Sequence, residues 1–391
     1  MKIISLVGAR PNFMKIAPFI RAIDTYNKAR KNKIEHTLIH TGQHYDIRMS
    51  KLFFDELQIP YPDINLEVGS GTHAEQVGLT MIKLEKEIRR IKPDMVVVVG
   101  DVNAILAGAV TAKKELVPLA HIEAGLRSGD MTMPEEINRL VADKLSDLLF
   151  TPDEISNINL IKEGVPEAKI KFVGNIMIDT FYHEKEKALA LNHKHIIQSN
   201  SMYNQTEPLP EEENYALVTM HRPSNVDTPE ILEKIINFFT NEVVKELPII
   251  WPIHPRTITR LQEFGLMEKV KNTKGIFLLH PVGYHEMIKL NSTAKVVMTD
   301  SGGLQEESTV LGTPCLTMRW NTERPVTLLR YGGTSSIVGN DVENIRKSFY
   351  KALEMPRNPR YPLLWDGHTA PRIVNEIVNF LETKHDLLSK E

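Results

Sequence analysis

Short apolar runs alternate with longer stretches in which apolar residues recur at helical spacing, and this rhythm predicts βαβ units and parallel sheets. In the first half the runs fall at 3–7, 35–40, 95–99, 116–122, 147–150 and 170–173, and helical patterns such as Gly78 to Arg90 and Asn103 to Lys114 lie between them. After Gly174 and Asn175 the regularity is lost, and the polar stretch Asn192 to Asn214 reads as a surface excursion near a domain junction. A second series then runs through 216–220, 248–253, 275–279, 294–298 and 314–318. The amphipathic segment Ala370 to Leu381 closes the pattern and could pack on either half. A chain of 391 residues exceeds what one hydrophobic core supports, so two Rossmann-like halves with a cleft between them is the economical α/β architecture.

Composition narrows the function classes. The apolar fraction of 42% and charged fraction of 25% are those of a soluble globular protein. A net charge of -3 gives no electrostatic footprint for nucleic acid or an anionic membrane, so any phosphate site must be local. The single cysteine, Cys315, excludes an internal disulfide, lies in an apolar run that reads as core, and fits a cytoplasmic location. The chain opens directly on a strand, with no stretch like a signal sequence, and no apolar run approaches membrane-spanning length.

Candidate chemistry gathers where predicted strands end, the edge at which open α/β sheets place ligands. The stretch His121 to Arg139 brings Glu123, Arg127, Asp130, Glu135, Glu136 and Arg139 in quick succession after an apolar run. Pro134 suits the first position of a helix, with Glu135 and Glu136 in its first turn, and for Glu136 that helix-start role is the favoured reading. Glu123 is different: two residues past the run, solvent is scarce and an unpaired carboxylate is costly. Gly8 to Lys15 forms a glycine turn opening a helix, where backbone amides with Arg10 and Lys15 would suit a phosphate; an ordinary strand-to-helix turn is the alternative. Asp101 ends the run of valines, either as an active-site group or as a helix N-cap. His221 with Arg222, and His254 with Arg256, end two later strands and imply an anion. Ser301, Gly302 and Gly303 open a helix toward a diphosphate, Glu307 is placed to accept the hydroxyls of a ribose, and Arg324 is a candidate phosphate clamp.

The motifs GARPNFMK, GD at 100–101, HIEAGLRSGDMTMPEEINR, HRPSN, TDSGGLQEES and NTERP, in this order, resemble those of the non-hydrolysing UDP-N-acetylglucosamine 2-epimerases. The resemblance spans Gly8 to Arg324 and implies the GT-B architecture, two Rossmann-like parallel-sheet domains facing across a cleft. It implies a first domain at 1–180, joined by a C-terminal helix at 368–385, and a UDP-binding domain at 181–367. The implied activity is reversible conversion of UDP-GlcNAc to UDP-ManNAc without NAD or metal, through elimination of UDP to 2-acetamidoglucal and re-addition, supplying ManNAc units for surface polysaccharide. By resemblance Asp101, Glu123, Glu135 and His221 are catalytic, and Arg10, Ser301, Gly302, Glu307 and Arg324 hold UDP; Lys15, His254 and Gly303 join the candidate substrate contacts. A homodimer is the family expectation.

This sequence also departs from the family. Many bacterial members bind a second UDP-GlcNAc as activator; Gln43 and His254 fit that pattern, but Asp46 replaces a Gln and Pro223 an Arg, which predicts weak or absent activation. Val326 and Val102 replace a Glu and a Thr, which could shift sugar specificity. A related branch epimerises UDP-2,3-diacetamido-glucuronate, and the intact Thr322 to Pro325 favours the N-acetylhexosamine. A glycosyltransferase would share the architecture but has no need of three carboxylates around C2, and a non-catalytic sensor would tolerate loss of Glu123.

Overall fold

The apolar runs form parallel strands buried on both faces, which is why they read as continuous rather than alternating. The structure, a computed structural model, describes residues 1–42, 60–204 and 207–388, without the side chains of Arg10, Pro11, His385, Leu387 and Leu388. It divides into two units, Met1–His183 with Leu363–Glu391, and Glu184–Pro362.

In the first unit the strands are Lys2–Val7 (β1), Glu35–His40 (β2), Ile64–Asn65 (β3), Met95–Val99 (β4), Leu119–Ile122 (β5), Leu148–Thr151 (β6) and Ile170–Phe172 (β7). They pair in the order β3-β2-β1-β4-β5-β6-β7, all parallel. The helices are Arg10–Ala29 (α1), His73–Ile91 (α2), Asn103–Lys114 (α3), Pro134–Leu145 (α4), Glu154–Lys162 (α5) and Ile176–Leu189 (α6), which runs through the unit boundary. One core joins Ile4, Leu6, Val96 and Val98 of the sheet to Leu84 and Ile88 of α2 and to the alanine-rich face of α3. Close approach needs Gly108: a Cβ there would lie 2.8 Å from Leu6 and Val98.

In the second unit Ala216–Thr219 (β8), Ile249–Pro252 (β9), Ile276–Leu279 (β10), Val296–Thr299 (β11), Cys315–Thr317 (β12) and Ser335–Ile337 (β13) pair in the order β10-β9-β8-β11-β12-β13, again all parallel. Its helices are His193–Asn200 (α7), Pro223–Val226 (α8), Pro229–Phe238 (α9), Pro255–Glu263 (α10), Met267–Asn272 (α11), Tyr284–Thr293 (α12), Gly302–Leu311 (α13) and Val342–Glu354 (α14). Alternate residues of each strand feed two cores, Val218, Trp251 and Met298 into one and Leu217, Ile250 and Val297 into the other. Both sheets reverse strand order once, between β1 and β4 and between β8 and β11. In open parallel sheets such a reversal marks the strand ends at which ligands bind.

Thr369–Leu388 (α15) returns to the first unit. Pro18 inside α1 has no N–H for the Met14 carbonyl, and the Thr180 hydroxyl of α6 donates to it instead at 2.5 Å. One residue earlier, the Asp179 carboxylate accepts the Thr369 and Ala370 amides at 3.0 and 2.7 Å and so caps α15. Gly174, at φ +96, lies against Leu364, whose carbonyl oxygen would be 2.1 Å from a Cβ.

Three sequence expectations change. The run 116–122 enters the sheet only at Leu119, because Leu116 adopts a left-handed φ of 58 in the turn after α3 and stands 88% exposed. The polar stretch 192–214 is not wholly excursion: α7 lies within it, and Ile196 and Ile197 are buried against Tyr215 and Leu217. The predicted helix at Gly78 starts earlier, at His73, where Thr72 and Glu75 form a capping box.

If Asp179 holds the start of α15, then Asp179→Ala should raise hydrogen exchange in the first turns of that helix by about 5–30-fold, the equivalent of about 1–2 kcal/mol for a lost cap. Unchanged exchange there would remove Asp179 from this role.

Candidate active site

In the first unit the polar groups sit on the turns that leave β1, β4 and β5. The Gly8 and Ala9 amides, predicted to face a phosphate, both donate to Asn12 Oδ1 at 3.1 Å, and Asn12 Nδ2 reaches across to the Val99 carbonyl at 2.9 Å. Those two amides are therefore committed to tying β1 to β4. The side chain of Arg10 lies outside the described residues. Lys15, grouped with Arg10 as a phosphate contact, instead donates its ammonium to Glu123 Oε2, and both side chains are buried.

Glu123 is the most constrained of these residues. Its φ of 72 is left-handed, a conformation unusual for a non-glycine residue and found mainly where surrounding structure enforces it. Here the Phe150 carbonyl enforces it by accepting the Glu123 and Ala124 amides at 3.1 and 3.0 Å. With 4% exposure, Glu123 keeps Oε1 without a hydrogen bond among the described residues. A carboxylate with one oxygen on Lys15 and the other without such a bond is suited to handling a proton.

Asp101 is not an N-cap: α3 begins after Val102 with no side-chain cap, and Asp101 Oδ2 accepts from Arg139 at 2.7 Å. Arg139 is buried and also donates to Glu136. Glu136, favoured by sequence as a helix-start residue, is buried as well, and its oxygens accept the Ser128 and Gly129 amides at 3.0 Å each. Burial opposes its charge, but Arg139 and those amides outweigh burial and hold the carboxyl below the ordinary range. Glu135, one residue before, is half-buried and stands outside this network. Behind Glu123, Asp143 accepts from His121 at 2.6 Å, from the Gly125 amide at 3.0 Å and from Arg127 at 2.7 Å. Despite burial, the imidazole and guanidinium keep its carboxyl low. Asp130, also noted in the sequence, accepts from the Thr132 amide and hydroxyl within its own turn.

In the second unit the organising residue is Asp300, to which no role was assigned from sequence. Fully buried after β11, it accepts the His221 and Arg222 amides at 2.9 and 2.8 Å, Asn225 Nδ2 at 3.0 Å and His221 Nδ1 at 3.0 Å. Burial works against the charge, and these donors hold the carboxyl low. Because His221 Nδ1 serves Asp300, Nε2 is left for other partners on a side chain that is 41% exposed. The His254 ring lies 5.2 Å from that of His221 and accepts the Arg256 amide through Nδ1. Burial and the neighbouring His221 lower its pKa.

Ser301 precedes α13 without capping it, so the first-turn amides of Gly302, Gly303 and Leu304 carry no side-chain cap. The two glycines differ. A Cβ on Gly302 would sit 2.6 Å from Arg324 Nη1, whereas one on Gly303 meets nothing within 4 Å. A side chain at 302 would therefore have to displace the Arg324 guanidinium, which is buried and bridges Glu306 at 2.8 Å and Glu323. Glu323 also pairs with Arg319 at 2.7 Å, and the two guanidiniums hold its carboxyl far below the usual range against the effect of burial. Glu307, the candidate ribose acceptor, is buried beside Tyr284 and Glu306, and burial pushes its carboxyl up to about 8.

Of the predicted residues, then, the structure joins Lys15 to Glu123, Asp101 to Arg139 and Glu136, His221 to His254, and Gly302 to Arg324. Glu135 and Gly303 join none of these groups. Gln43 and Asp46 lie outside the described residues. Among the described residues no three His, Cys, Asp or Glu are grouped to hold a metal ion, and no helix is long and apolar enough to cross a membrane.

The UDP-N-acetylglucosamine 2-epimerase family profile matches residues 27–378. The UDP-N-acetylglucosamine 2-epimerase of Methanocaldococcus jannaschii is 42% identical over 375 residues, covering 96% of this chain and 98% of that protein. The UDP-2,3-diacetamido-2,3-dideoxy-D-glucuronate 2-epimerase of Pseudomonas aeruginosa is 39% identical over 327 residues, covering 83% and 84%. The crystal structure of the M. jannaschii UDP-GlcNAc 2-epimerase in complex with UDP-GlcNAc and UDP is similar at a TM-score of 0.85 and 41% identity, covering 97% of this chain and 100% of that one. With strand-end carboxylates in one parallel-sheet unit, an uncapped glycine-led helix in the other and a match across nearly the whole length, the chain belongs to the UDP-N-acetylglucosamine 2-epimerase family of isomerases.

Proposed function

We propose that this epimerase interconverts UDP-N-acetylglucosamine and UDP-N-acetylmannosamine, with the first unit supplying the proton-handling groups and the second holding the nucleotide. The observation that carries the reading is Glu123, a buried carboxylate with one oxygen on Lys15 and the other without a hydrogen bond among the described residues. The proton at C2 of the sugar is not acidic, so inversion proceeds by elimination. A carboxylate takes the C2 proton, the C1–O bond breaks, and its electron pair leaves with UDP, giving 2-acetamidoglucal. Proton delivery to the opposite face of C2 and re-addition of UDP at C1 complete the cycle. Asp101, Glu123 and Glu135 are the acid–base candidates, and His221, with Nδ1 committed to Asp300, offers Nε2 to the departing phosphate.

The nucleotide cradle is read as the α13 amides with Ser301, Gly302, Glu307, Arg324 and His254; the side chain of Arg10, the further candidate from the sequence, lies outside the described residues. Since Arg324 is already paired with Glu306 and Glu323, a diphosphate would add to an existing charge network rather than meet a lone cation. Identity to the UDP-GlcNAc enzyme (42%) barely exceeds that to the diacetamido-glucuronate enzyme (39%), and the Thr322 to Pro325 motif supports the N-acetylhexosamine. Family membership supports a homodimer and a supply of ManNAc units for surface polysaccharide as the setting.

Incubating the protein with UDP-GlcNAc alone in deuterated buffer should give UDP-ManNAc carrying deuterium at C2; no incorporation without an added acceptor would point to a glycosyltransferase. Glu123→Gln is expected to lower turnover by about two to four orders of magnitude while UDP affinity stays within about twofold. Normal C2 exchange in that variant would remove Glu123 from the chemistry. Accepting ribose hydroxyls needs an ionised Glu307, whose pKa is raised to about 8, so UDP affinity should increase with pH and level off above about 8. Between pH 7 and 9 the gain is about tenfold by linkage, and calorimetry on Glu307→Gln should show the gain abolished.

A further inference from the structure

Three consecutive carbonyl oxygens close β4, and each accepts a hydrogen bond from a side chain on a different element. Asn12 of α1 donates to Val99 at 2.9 Å, His121 of β5 to Gly100 at 2.8 Å and Asn138 of α4 to Asp101 at 2.9 Å. The middle tie differs from the other two. The His121 ring is wholly buried, and its Nδ1 faces Asp143 at 2.6 Å while its Nε2 faces a carbonyl, so both nitrogens meet acceptors. Asp143 is itself held by the Gly125 amide and Arg127, which fixes the ring from behind. With both ends anchored the imidazole has one orientation, and water cannot replace it.

The Gly100 amide is held as well, donating to the Ile122 carbonyl at 3.1 Å. The residue is left-handed at φ +80, and a Cβ would approach Asn12 Nδ2 at 3.0 Å and Lys15 Nζ at 3.1 Å. From this turn Asp101 extends a carboxylate that is 27% exposed, with its backbone held by Asn138 and its Oδ2 by Arg139. Glu123 leaves the same strand as His121 two residues later.

We propose that His121 is a positioning residue for the C2 proton transfer: through Nε2 it fixes the Gly100 carbonyl and thereby the aim of the Asp101 carboxylate. The proposal rests on the acid–base role read for Asp101 above. His121 touches no reacting atom; it converts the buried Asp143–Arg127 pair into a fixed strand-end geometry. A displacement of about 1 Å at such a turn suffices for a hundredfold loss of rate.

The test uses two variants of the full chain. In His121→Asn the amide occupies the place of Nδ1 and keeps Asp143 but releases Gly100; in His121→Gln it reaches the place of Nε2 and can keep the Gly100 carbonyl. The Asn variant should lose about 100-fold in kcat, with KM for UDP-GlcNAc and Kd for UDP within about twofold, and the Gln variant should recover at least about tenfold of that loss. A folded Asn variant with wild-type kcat, equal losses in both variants, or a loss shared by KM and UDP affinity would each overturn the proposal. Should His121→Asn fail to fold, His121→Gln is read alone: its kcat must stay above about a tenth of the wild-type value with KM held, and a larger loss overturns the proposal. Deuterium exchange by the wild type separates the two levels, since a wild type that does not exchange C2 sinks the epimerase reading itself, and an exchanging wild type with indifferent variants sinks only the role of His121.

Discussion

Parallel strands end with backbone amides and carbonyls that the sheet no longer pairs, and in both units buried side chains take them up at the reversal of strand order. The solutions are opposite in sign. In the first unit, side-chain N–H groups from Asn12, His121 and Asn138 meet carbonyls; in the second, the Asp300 carboxylate meets the amides of His221 and Arg222. Either way a protein side chain pairs the strand-end turn, and the residues it presents acquire defined directions. A residue held on such a scaffold can aim a carboxylate or imidazole with the accuracy proton transfer requires.

The same economy governs the charges. Burying an ion is costly unless it is paired, and removing one partner of a buried pair strands the other. Lys15 with Glu123, Arg139 with Glu136 and Asp101, and Arg324 with Glu306 and Glu323 all satisfy that rule while leaving selected atoms uncommitted, among them Glu123 Oε1 and the first-turn amides of α13. Among the described residues no cation pairs with Glu307, and burial raises its pKa where guanidiniums depress that of Glu323. Carboxylates only 16 positions apart are therefore shifted in opposite directions from the ordinary carboxylate range by what surrounds them.

Backbone conformation adds one further constraint. Glu123 accepts a left-handed φ that glycine would adopt more easily, and the Phe150 carbonyl stabilises it. Of the ionisable residues with that handedness among the described residues, Glu67, Lys92 and Glu213 are exposed and Glu123 is buried.

The sequence by itself determined the two parallel-sheet α/β units, because doubly buried strands and amphipathic helices leave different periods in the pattern, and it determined the family, because the motifs at strand ends recur in order. It also marked where chemistry would collect, since polar groups after an apolar run have few bland explanations. Only the tertiary structure decided which of those groups meet. Lys15 and Glu123 are 108 positions apart, and Asp101 and Arg139 are 38 apart. Partnership at such distances depends on strand order and helix crossover, not on spacing. For that reason the amides of Gly8 and Ala9 looked free for phosphate when Asn12 takes them, Glu136 looked solvated when Arg139 buries it, and Asp300 drew no notice although it organises the second unit's strand ends. Hydrophobic burial is written residue by residue along the chain, whereas hydrogen-bond and charge satisfaction belongs to pairs that exist only once the sheets have formed.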